Sequence, residues 1–376
     1  MKVLHLFSNC KWTGPAEPAL NLCCALRDQG VEIEFACAPD SGNSVNMVVE
    51  SARARGIEPI LDFHLRKHRH VIKDFLDVFR MRRFLRKTPF DLLHCHLDND
   101  HEIARYALAG TTGTPLVRSS YEGLGFEADR RHHNLLQHTD LLLEPSKIAL
   151  RHDTEAFGLA SEQLAFVPGA IDTKRFEPGR IQGDTRATMG IPDDAYVVGI
   201  VARMQTHRHF EDLLQAMRQL IDAMPNAHLV IVGRGTNQKI VVEEPARDMR
   251  IADHVHITGY VEGDDLVAAI QAMDIGVYLV PGSDGTCRAA REILSMGKPL
   301  IVADRGMLRE IVVDGKSGLV TDGSADALLS AIRELGNNPK RRQAMGKNAR
   351  HLAEKRYALA PQARMVKALY EDLLAR

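Results

Sequence analysis

Short apolar runs separated by stretches of helical period set the rhythm of this chain. Val3-Leu4-His5-Leu6-Phe7 reads as a buried strand, and after a loop over residues 8–17 an amphipathic helix is expected from about Pro18 to Arg27. Asp28-Gln29-Gly30 stops it, and residues 31–37 form the next apolar strand. A β-loop-α-β opening of this kind is the signature of a doubly wound α/β sheet. A further strand is expected over 91–97, residues 115–123 read as the next strand and loop, and 141–146 follow. A second β-α series follows, with strands over 196–202, 228–232, 275–280 and 300–303 and helices over 265–273 and 288–296. Between the two series, residues 177–194 are rich in Pro, Gly and Asp and mark a domain boundary.

Bulk properties narrow the class. A chain of 376 residues is long for one core and suits two domains, here 1–178 and 179–355 with a last helix from about Pro361 to Leu374. With 45% hydrophobic and 26% charged residues and a formal net charge of −1, disorder is excluded and so is a polycation built for nucleic acid. The apolar N-terminal run is too short for a signal peptide, and no run approaches a membrane span. The six cysteines form no C-x-x-C pair, as expected of free thiols in a reducing cytoplasm. Charge is concentrated in one place. Residues 64–87 carry Arg66, Lys67, Arg69, Lys73, Arg80, Arg82, Arg83, Arg86 and Lys87 around apolar residues at helical spacing. Such a helix suits a solvated face, an anionic acceptor or the anionic surface of a membrane.

Candidate chemistry gathers in the strand-loop-helix-strand unit from Tyr278 to Val302. Its loop, Asp284-Gly285-Thr286-Cys287, offers backbone N–H groups at a helix start to an anion, and Glu292 follows inside the helix. Two carboxylates eight apart, Asp284 and Glu292, suit the hydroxyls of a sugar or ribose. Upstream, Arg203 and Arg208 lie five apart just after a strand, cations suited to phosphate oxygens. His94 and His96 alternate on one face of their strand, which fits a metal, but no third ligand suggests itself nearby. Asp98 and Asp100 follow at that strand's end, placed to reach acceptor hydroxyls.

These segments resemble the retaining glycosyltransferases of family 4, of the group 1 type. The 284–299 stretch is similar to that family's E-x7-E region, E-G-F-G-L-x-x-x-E-A-M-A-x-G-x-P, with Asp284 for the first Glu, Thr286-Cys287-Arg288 for Phe-Gly-Leu, and Glu292, Gly297 and Pro299 kept. Residues 14–17 resemble the G-G-x-E loop, with Gly14 and Glu17 matching and Pro15, which lacks an N–H, in place of the second Gly. Residues 91–96 resemble D-V-x-H-x-H. At 121 a Tyr stands where relatives carry a His, and the role of that His is left unassigned. Residues 167–176 resemble V-I-P-N-G-V-D-x-x-x-F, 202–208 resemble G-R-L-x-x-x-K-G with Arg208 for Lys, 257–261 resemble F-T-G-x-V, and 310–320 resemble E-x-V-x-D-G-x-x-G-x-L-V.

The resemblance implies the GT-B fold, two facing doubly wound Rossmann-like domains with an interdomain cleft, and residues 356–376 crossing back to brace the first. It implies transfer of a sugar from a nucleotide-sugar to an acceptor hydroxyl with retention, in making cell-surface polysaccharide or lipopolysaccharide. A UDP-sugar is favoured over a GDP-sugar, and no metal or other cofactor is required because cations and helix dipoles replace it. Arg203 and Arg208 would hold the diphosphate, with Gly14, Gly285, Thr286, Cys287 and Arg288 beside it, Arg288 also within reach of an acceptor anion. Gly259 and Tyr260 would lie by the base, Asp284 by the donor sugar, Glu292 by the ribose, and His96 towards the sugar or acceptor. The expected location is the cytoplasm, with residues 64–87 against the inner face of the membrane. An epimerase or hydrolase on the same fold and a catalytically silent binding or scaffold protein stay open, separable by product analysis with and without acceptor. A nicotinamide dehydrogenase fits poorly, since no G-x-G-x-x-G follows the first strand.

Overall fold

The computed structural model describes residues 1–39, 45–110, 113–281 and 287–376. The chain divides into two compact units. The first comprises Met1–Gly169 together with Leu359–Arg376, and the second runs from Ala170 to Ala358 among the described residues.

In the first unit strands and helices alternate: β1 (Lys2–Phe7), α1 (Ala16–Asp28), β2 (Glu32–Cys37), α2 (Met47–Ala54), α3 (Val71–Lys87) and β3 (Leu92–Cys95). They continue as α4 (Asp98–Leu108), β4 (Leu116–Ser119), α5 (Arg130–Leu136), β5 (Leu141–Glu144), α6 (Lys147–Phe157) and β6 (Leu164–Phe166). The six strands form one sheet in the order β2-β1-β3-β4-β5-β6, every neighbouring pair parallel. Parallel strands are covered on both faces, which is why β1, β3, β4 and β5 read as nearly unbroken apolar runs and not as alternating ones. The helix starts follow ordinary capping chemistry. Asn46 accepts from Val48 and Val49, Asp129 from His132, and Ser146 from Ala149.

The second unit repeats the design with β7 (Tyr196–Val201), α7 (Phe210–Ala223), β8 (Ala227–Val232), α8 (Glu244–Asp248), β9 (Val255–Gly259) and α9 (Gly263–Ala272). There follow β10 (Ile275–Tyr278), α10 (Arg288–Ser295), β11 (Leu300–Ala303), β12 (Gly318–Thr321), α11 (Ala325–Asn337) and α12 (Pro339–Leu352). Its sheet is also six-stranded and parallel, in the order β12-β11-β10-β7-β8-β9. Val198, Ile200 and Ile231 face α7 and α11 on one side, while Val197, Val230 and Val302 meet α9 and α10 on the other.

The last helix, α13 (Leu359–Leu374), packs Ala363, Val366, Tyr370 and Leu373 against Val3, Leu26, Leu92 and Val117 of the first unit. The boundary between units falls after Gly169, earlier than the expected 178. Ile171 and Phe176 are core residues of the second unit, and the carbonyl of Phe176 accepts from Ser295 Oγ at 2.6 Å and Arg350 Nη1 at 2.7 Å. The return to the first unit comes at Leu359 and not at 356, because Tyr357 is buried in the second core and donates to the Ile311 carbonyl at 2.9 Å.

Candidate active site

In the second sheet the chain steps outward from β7 through β8 to β9, then returns to the other side of β7 as β10. At such a reversal the loops after the two flanking strands leave in opposite directions and open a crevice at their carboxyl ends. Residues 202–208 leave β7 there, and Leu279, Val280 and Pro281 leave β10. Arg208 joins the two loops. It is buried, and its Nη1 donates to the carbonyls of Val280 at 3.3 Å and Pro281 at 2.6 Å. The expected second diphosphate cation is thus first a clamp on the loop that leads into 282–286, with Nε left buried and without a hydrogen-bond partner. Arg203 differs. It is exposed and has no hydrogen bond or ion pair among the described residues, so its cation is available to a ligand.

The loop after β8 closes on this one through glycines. A Cβ at Gly233 would stand 2.3 Å from the Ala202 carbonyl oxygen, and one at Gly235 only 1.9 Å from that of Met204. Only glycine lets these backbones pass so closely. Gly233 N–H also donates to the carbonyl of Gly259 at 3.0 Å, so the end of β9 joins the same rim. Gly259 has φ of 72°, a conformation glycine adopts without strain. Tyr260 beyond it is exposed, with the Arg234 guanidinium 5.0 Å over its ring. Gly259 and Tyr260 therefore belong to the rim where Arg203 lies.

Asp284, Gly285 and Thr286 lie outside the described residues. Cys287 is buried in the left-handed conformation with φ of 53°, immediately before α10. Arg288 opens the helix, and its Nε approaches Glu292 Oε1 to 3.5 Å one turn on. Glu292 is buried, so part of Arg288's charge is spent holding that carboxylate.

In the first sheet the corresponding reversal lies between β1 and β3. Ser8 and Asn9 leave β1, and His96 follows β3. Asp100, expected to reach acceptor hydroxyls, does not. Its buried carboxylate accepts from the N–H groups of Ser8 at 2.7 Å, His96 at 3.0 Å and Leu97 at 3.0 Å, stapling both loops to the start of α4. Gly14 sits in the turn before α1, closed by the Ala16 N–H on the Thr13 carbonyl at 2.9 Å.

His96 is fully buried, and both ring nitrogens are engaged: Nε2 with His5 Nδ1 at 2.9 Å and Nδ1 with the Tyr121 hydroxyl at 2.8 Å. It does not meet a ligand directly. The sequence reading misses His5, yet the β1–β3 register sets it beside His94. His94 in turn bonds Ser119 Oγ at 2.8 Å and the Tyr370 hydroxyl. The three imidazoles bring one nitrogen each within 4.8 Å of the others, the third ligand that inspection of residues 91–97 does not find. Their nitrogens are committed to one another, to Tyr121, Tyr370 and Ser119, save for His5 Nε2, which is buried without a partner. Burial drives the His5 pKa down to about 3. Burial, then the neighbouring imidazoles and Arg118, holds His94 well below the usual value, and burial with His5 and Arg118 does the same for His96.

The neutral rings fix their own tautomers. A bare nitrogen without a partner costs less than an N–H without one. His5 Nε2 is therefore bare, and His5 Nδ1–H donates to His96 Nε2. His96 Nδ1–H then donates to Tyr121, whose own O–H proton is left to point elsewhere. Tyr121 is half-buried.

A charge network borders this cluster. Arg118, buried in β4, donates to Asp98 at 2.9 Å and keeps Nε and Nη1 without hydrogen bonds. Asp98 also meets Arg131 at 3.7 Å and His132 at 3.6 Å. Burial disfavours its charge, but the His132 hydrogen bond and the Arg118 and Arg131 cations outweigh that and hold it well below the usual carboxylate range. An Arg inside the apolar run of β4 was the available sign of this network, alongside Glu144 and Asp153, buried carboxylates at β5 and α6.

Two sheets with parallel strands, each reversing at its first strand, define the doubly wound class, and solved structures share the arrangement. HepE of Anabaena in complex with UDP aligns with a TM-score of 0.81 over 99% of this chain and 100% of that one at 17% identity. That likeness gives the GT-B glycosyltransferase fold. Residues 182–352 match the family described as glycosyl transferases group 1, and residues 13–175 match glycosyltransferase family 4. The chain belongs to these family 4 glycosyltransferases. Among curated relatives, the D-inositol 3-phosphate glycosyltransferase of Corynebacterium urealyticum is 28% identical over 64% of this chain and 58% of its own. The GDP-mannose-dependent alpha-(1-6)-phosphatidylinositol monomannoside mannosyltransferase of Mycolicibacterium smegmatis is 29% identical over 66% of each chain. The chain thus spans 58% and 66% of the length of these two.

Proposed function

We propose that this protein moves a sugar from a nucleotide-sugar to an acceptor hydroxyl with retention of configuration, without a required metal, UDP-sugars being favoured over GDP-sugars. One observation carries the reading: the exposed Arg203 at the reversal between β7 and β10, on a rim closed by the glycine contacts of Gly233 and Gly235. A nucleoside diphosphate leaving group builds negative charge, and a cation fixed beside it stabilises that charge more in the transition state than before it. Arg203 supplies the cation. Arg208 contributes by holding the β10 loop at the carbonyls of Val280 and Pro281. Gly259 and Tyr260 border the base, and Asp284, Gly285, Thr286 and Cys287 serve the diphosphate and donor sugar, with Arg288 beside them and Glu292 at the ribose.

His96 acts through Tyr121. The histidine chain orients the tyrosine so that its proton is offered to the sugar or acceptor, in the position where relatives carry a His. The acceptor is a glycan, lipid-linked or small hydroxyl compound used in cell-surface polymer synthesis, and the protein works in the cytoplasm at the inner face of the membrane. The names of the relatives, one acting on an inositol phosphate and one on a phosphatidylinositol mannoside, support an acceptor of that kind. The test is product analysis. The protein is incubated with UDP- and GDP-sugars, with and without sugar and polyprenyl-linked acceptors, and the products are resolved by mass and anomeric configuration. An α-linked product from an α-donor is expected only when acceptor is present. Free sugar or an epimer without acceptor would replace the transferase reading by a hydrolase or epimerase.

A further inference from the structure

Glu144 ends the apolar strand β5, and Asp153 lies in the middle of α6. Both side chains are completely buried. Among the described residues neither oxygen of Glu144 has a hydrogen-bond partner, and Oδ2 of Asp153 has none. Burial penalises a charged oxygen that nothing hydrogen-bonds, so these atoms do not all remain bare. Glu144 faces Asp153 and the Ser120 hydroxyl at the end of β4. Two buried carboxylates in contact share a proton, because the second charge is opposed by the first and by burial alike. That proton is the missing donor.

Hydrogen bonds place it. Asp153 Oδ1 accepts from the Phe126 N–H at 3.0 Å, and His152 Nδ1 lies 2.7 Å from the same oxygen, which requires an N–H there. These donors stabilise charge on Asp153, and Glu144 has no equivalent. The proton therefore sits on Glu144, whose O–H donates to Asp153 Oδ2. Burial, then the Asp153 charge, raises the Glu144 pKa well above the usual carboxylate range, with Arg118 of β4 acting against them. The other ionisable groups nearby are His152 on α6, Glu122 in the loop above and His132 on α5, which is engaged with Asp98.

The pair lies under the loop from Ser120 to Phe126. Phe126 is bound to Asp153, the Gly123 carbonyl accepts from buried Ser146 Oγ at 2.8 Å, and Glu122 N–H donates to Ser120 Oγ at 3.2 Å. Gly125 has φ of 94°, and a Cβ there would stand 2.4 Å from Asp153 Oδ1 and 2.5 Å from His152 Nδ1. The loop thus rests directly on the charged member of the pair, and only glycine allows the approach. Tyr121, whose hydroxyl ends the histidine chain, belongs to this loop.

We propose that Glu144 and Asp153 are positioning residues, a carboxyl–carboxylate pair that shares one proton and seats the 120–126 loop, and with it Tyr121, for sugar transfer. The effect on transfer rests on the transferase reading; the shared proton and the hold on the loop do not. Removing the proton at alkaline pH puts a second buried charge beneath the loop and loosens it. Glu144→Gln keeps the shape, donates from Nε2 to Asp153 and cannot ionise, whereas Glu144→Ala leaves Asp153 Oδ2 bare.

Full-length wild type and both variants are compared near neutral pH. The infrared spectrum of wild type should contain a buried protonated-carboxyl band that Glu144→Gln lacks. Amide hydrogen exchange over residues 120–126 should be about tenfold faster in Glu144→Ala and close to wild type in Glu144→Gln. In a transfer assay kcat should fall about tenfold in Glu144→Ala with the donor KM unchanged, while Glu144→Gln keeps its kcat and retains it to higher pH than wild type. No such band, or one that Glu144→Gln leaves in place, would overturn the shared proton. Equal exchange in all three proteins, or a Gln variant that behaves like the Ala variant, would overturn the hold on the loop. Wild-type protein that transfers no sugar while the band and the exchange behave as stated would sink the transferase reading and leave the pair standing.

Discussion

At the scale of single residues, the two arginines after β7 separate into different jobs. Arg203 is open to solvent, whereas Arg208 is buried and satisfies two carbonyls of the β10 loop. Arg203→Ala is expected to weaken diphosphate binding by about 10- to 100-fold, the worth of a charge-assisted hydrogen bond, and to leave the melting temperature unchanged. Arg208→Ala should do both kinds of damage, because it strands two carbonyls at a cost of about 1–3 kcal/mol. A calorimetric melt beside a nucleotide titration reads the split, and equal melting of the two variants would show that the clamp is not structural. Tyr121→Phe keeps the ring and removes the hydroxyl. A fall in kcat of about tenfold without a matching fall in stability is expected if that hydroxyl meets substrate. The histidine chain behind it makes a pH prediction. Folded pKa values below that of the unfolded chain mean that the unfolded state binds more protons between the two. Their stabilisation is thus complete above about pH 6.5 and is lost as pH falls towards about 3. His132, raised chiefly by its hydrogen bond to Asp98, and the buried Asp100 and Glu144 work in the opposite direction. The comparison is therefore wild type against His5→Gln. The wild type should lose more stability to urea between pH 7.5 and 5 than the variant, and parallel losses would contradict the buried neutral ring.

Among elements, contact geometry matters more than propensity. A methyl group at position 235 would run into the Met204 carbonyl, so Gly235→Ala should destabilise the second unit by about 1–3 kcal/mol, whereas changes on the outer face of α3 should not. A urea melt of Gly235→Ala that matched wild type would mean that the two loops do not touch. Most of these elements are legible in the sequence, because parallel strands buried on both faces leave runs such as 196–201 and 227–232 that nothing else explains. The loop leaving β7 at the reversal is legible too, through Arg203 and Arg208. What cannot be read is whatever depends on register or on contact between distant segments. His5 is a lone polar residue in an apolar strand until β1 pairs with β3 and sets it against His94. Asp100 looks like a surface acid after a strand until the Ser8 and His96 N–H groups are seen to converge on it. Pattern shows which residues are polar, and only pairing shows whom they serve.

For the whole molecule, two sheets with separate cores share one chain that leaves the first unit after Gly169 and re-enters it at Leu359. The composition-based boundary falls late because Ile171 and Phe176 sit in a Pro- and Gly-containing stretch that looks like linker, although both are core residues. Termination after Ala358 should unfold the first unit, which would lose Val366, Tyr370 and Leu373 from its core, and leave the second unit cooperative; limited proteolysis would return a fragment starting near 170. A truncated chain that kept both units protease-resistant would refute that role for α13. Among the described residues no helix is long and apolar enough to cross a membrane.

The central claim is that the crevice between β7 and β10 holds a nucleoside diphosphate on Arg203. Isothermal titration of the full chain with UDP, GDP and ADP in the presence of a chelator, repeated on Arg203→Ala, tests it most directly. Micromolar binding of one nucleotide, UDP being favoured, and its loss in the variant are the expected result. No binding of any of the three, or binding that Arg203→Ala leaves intact, would contradict it.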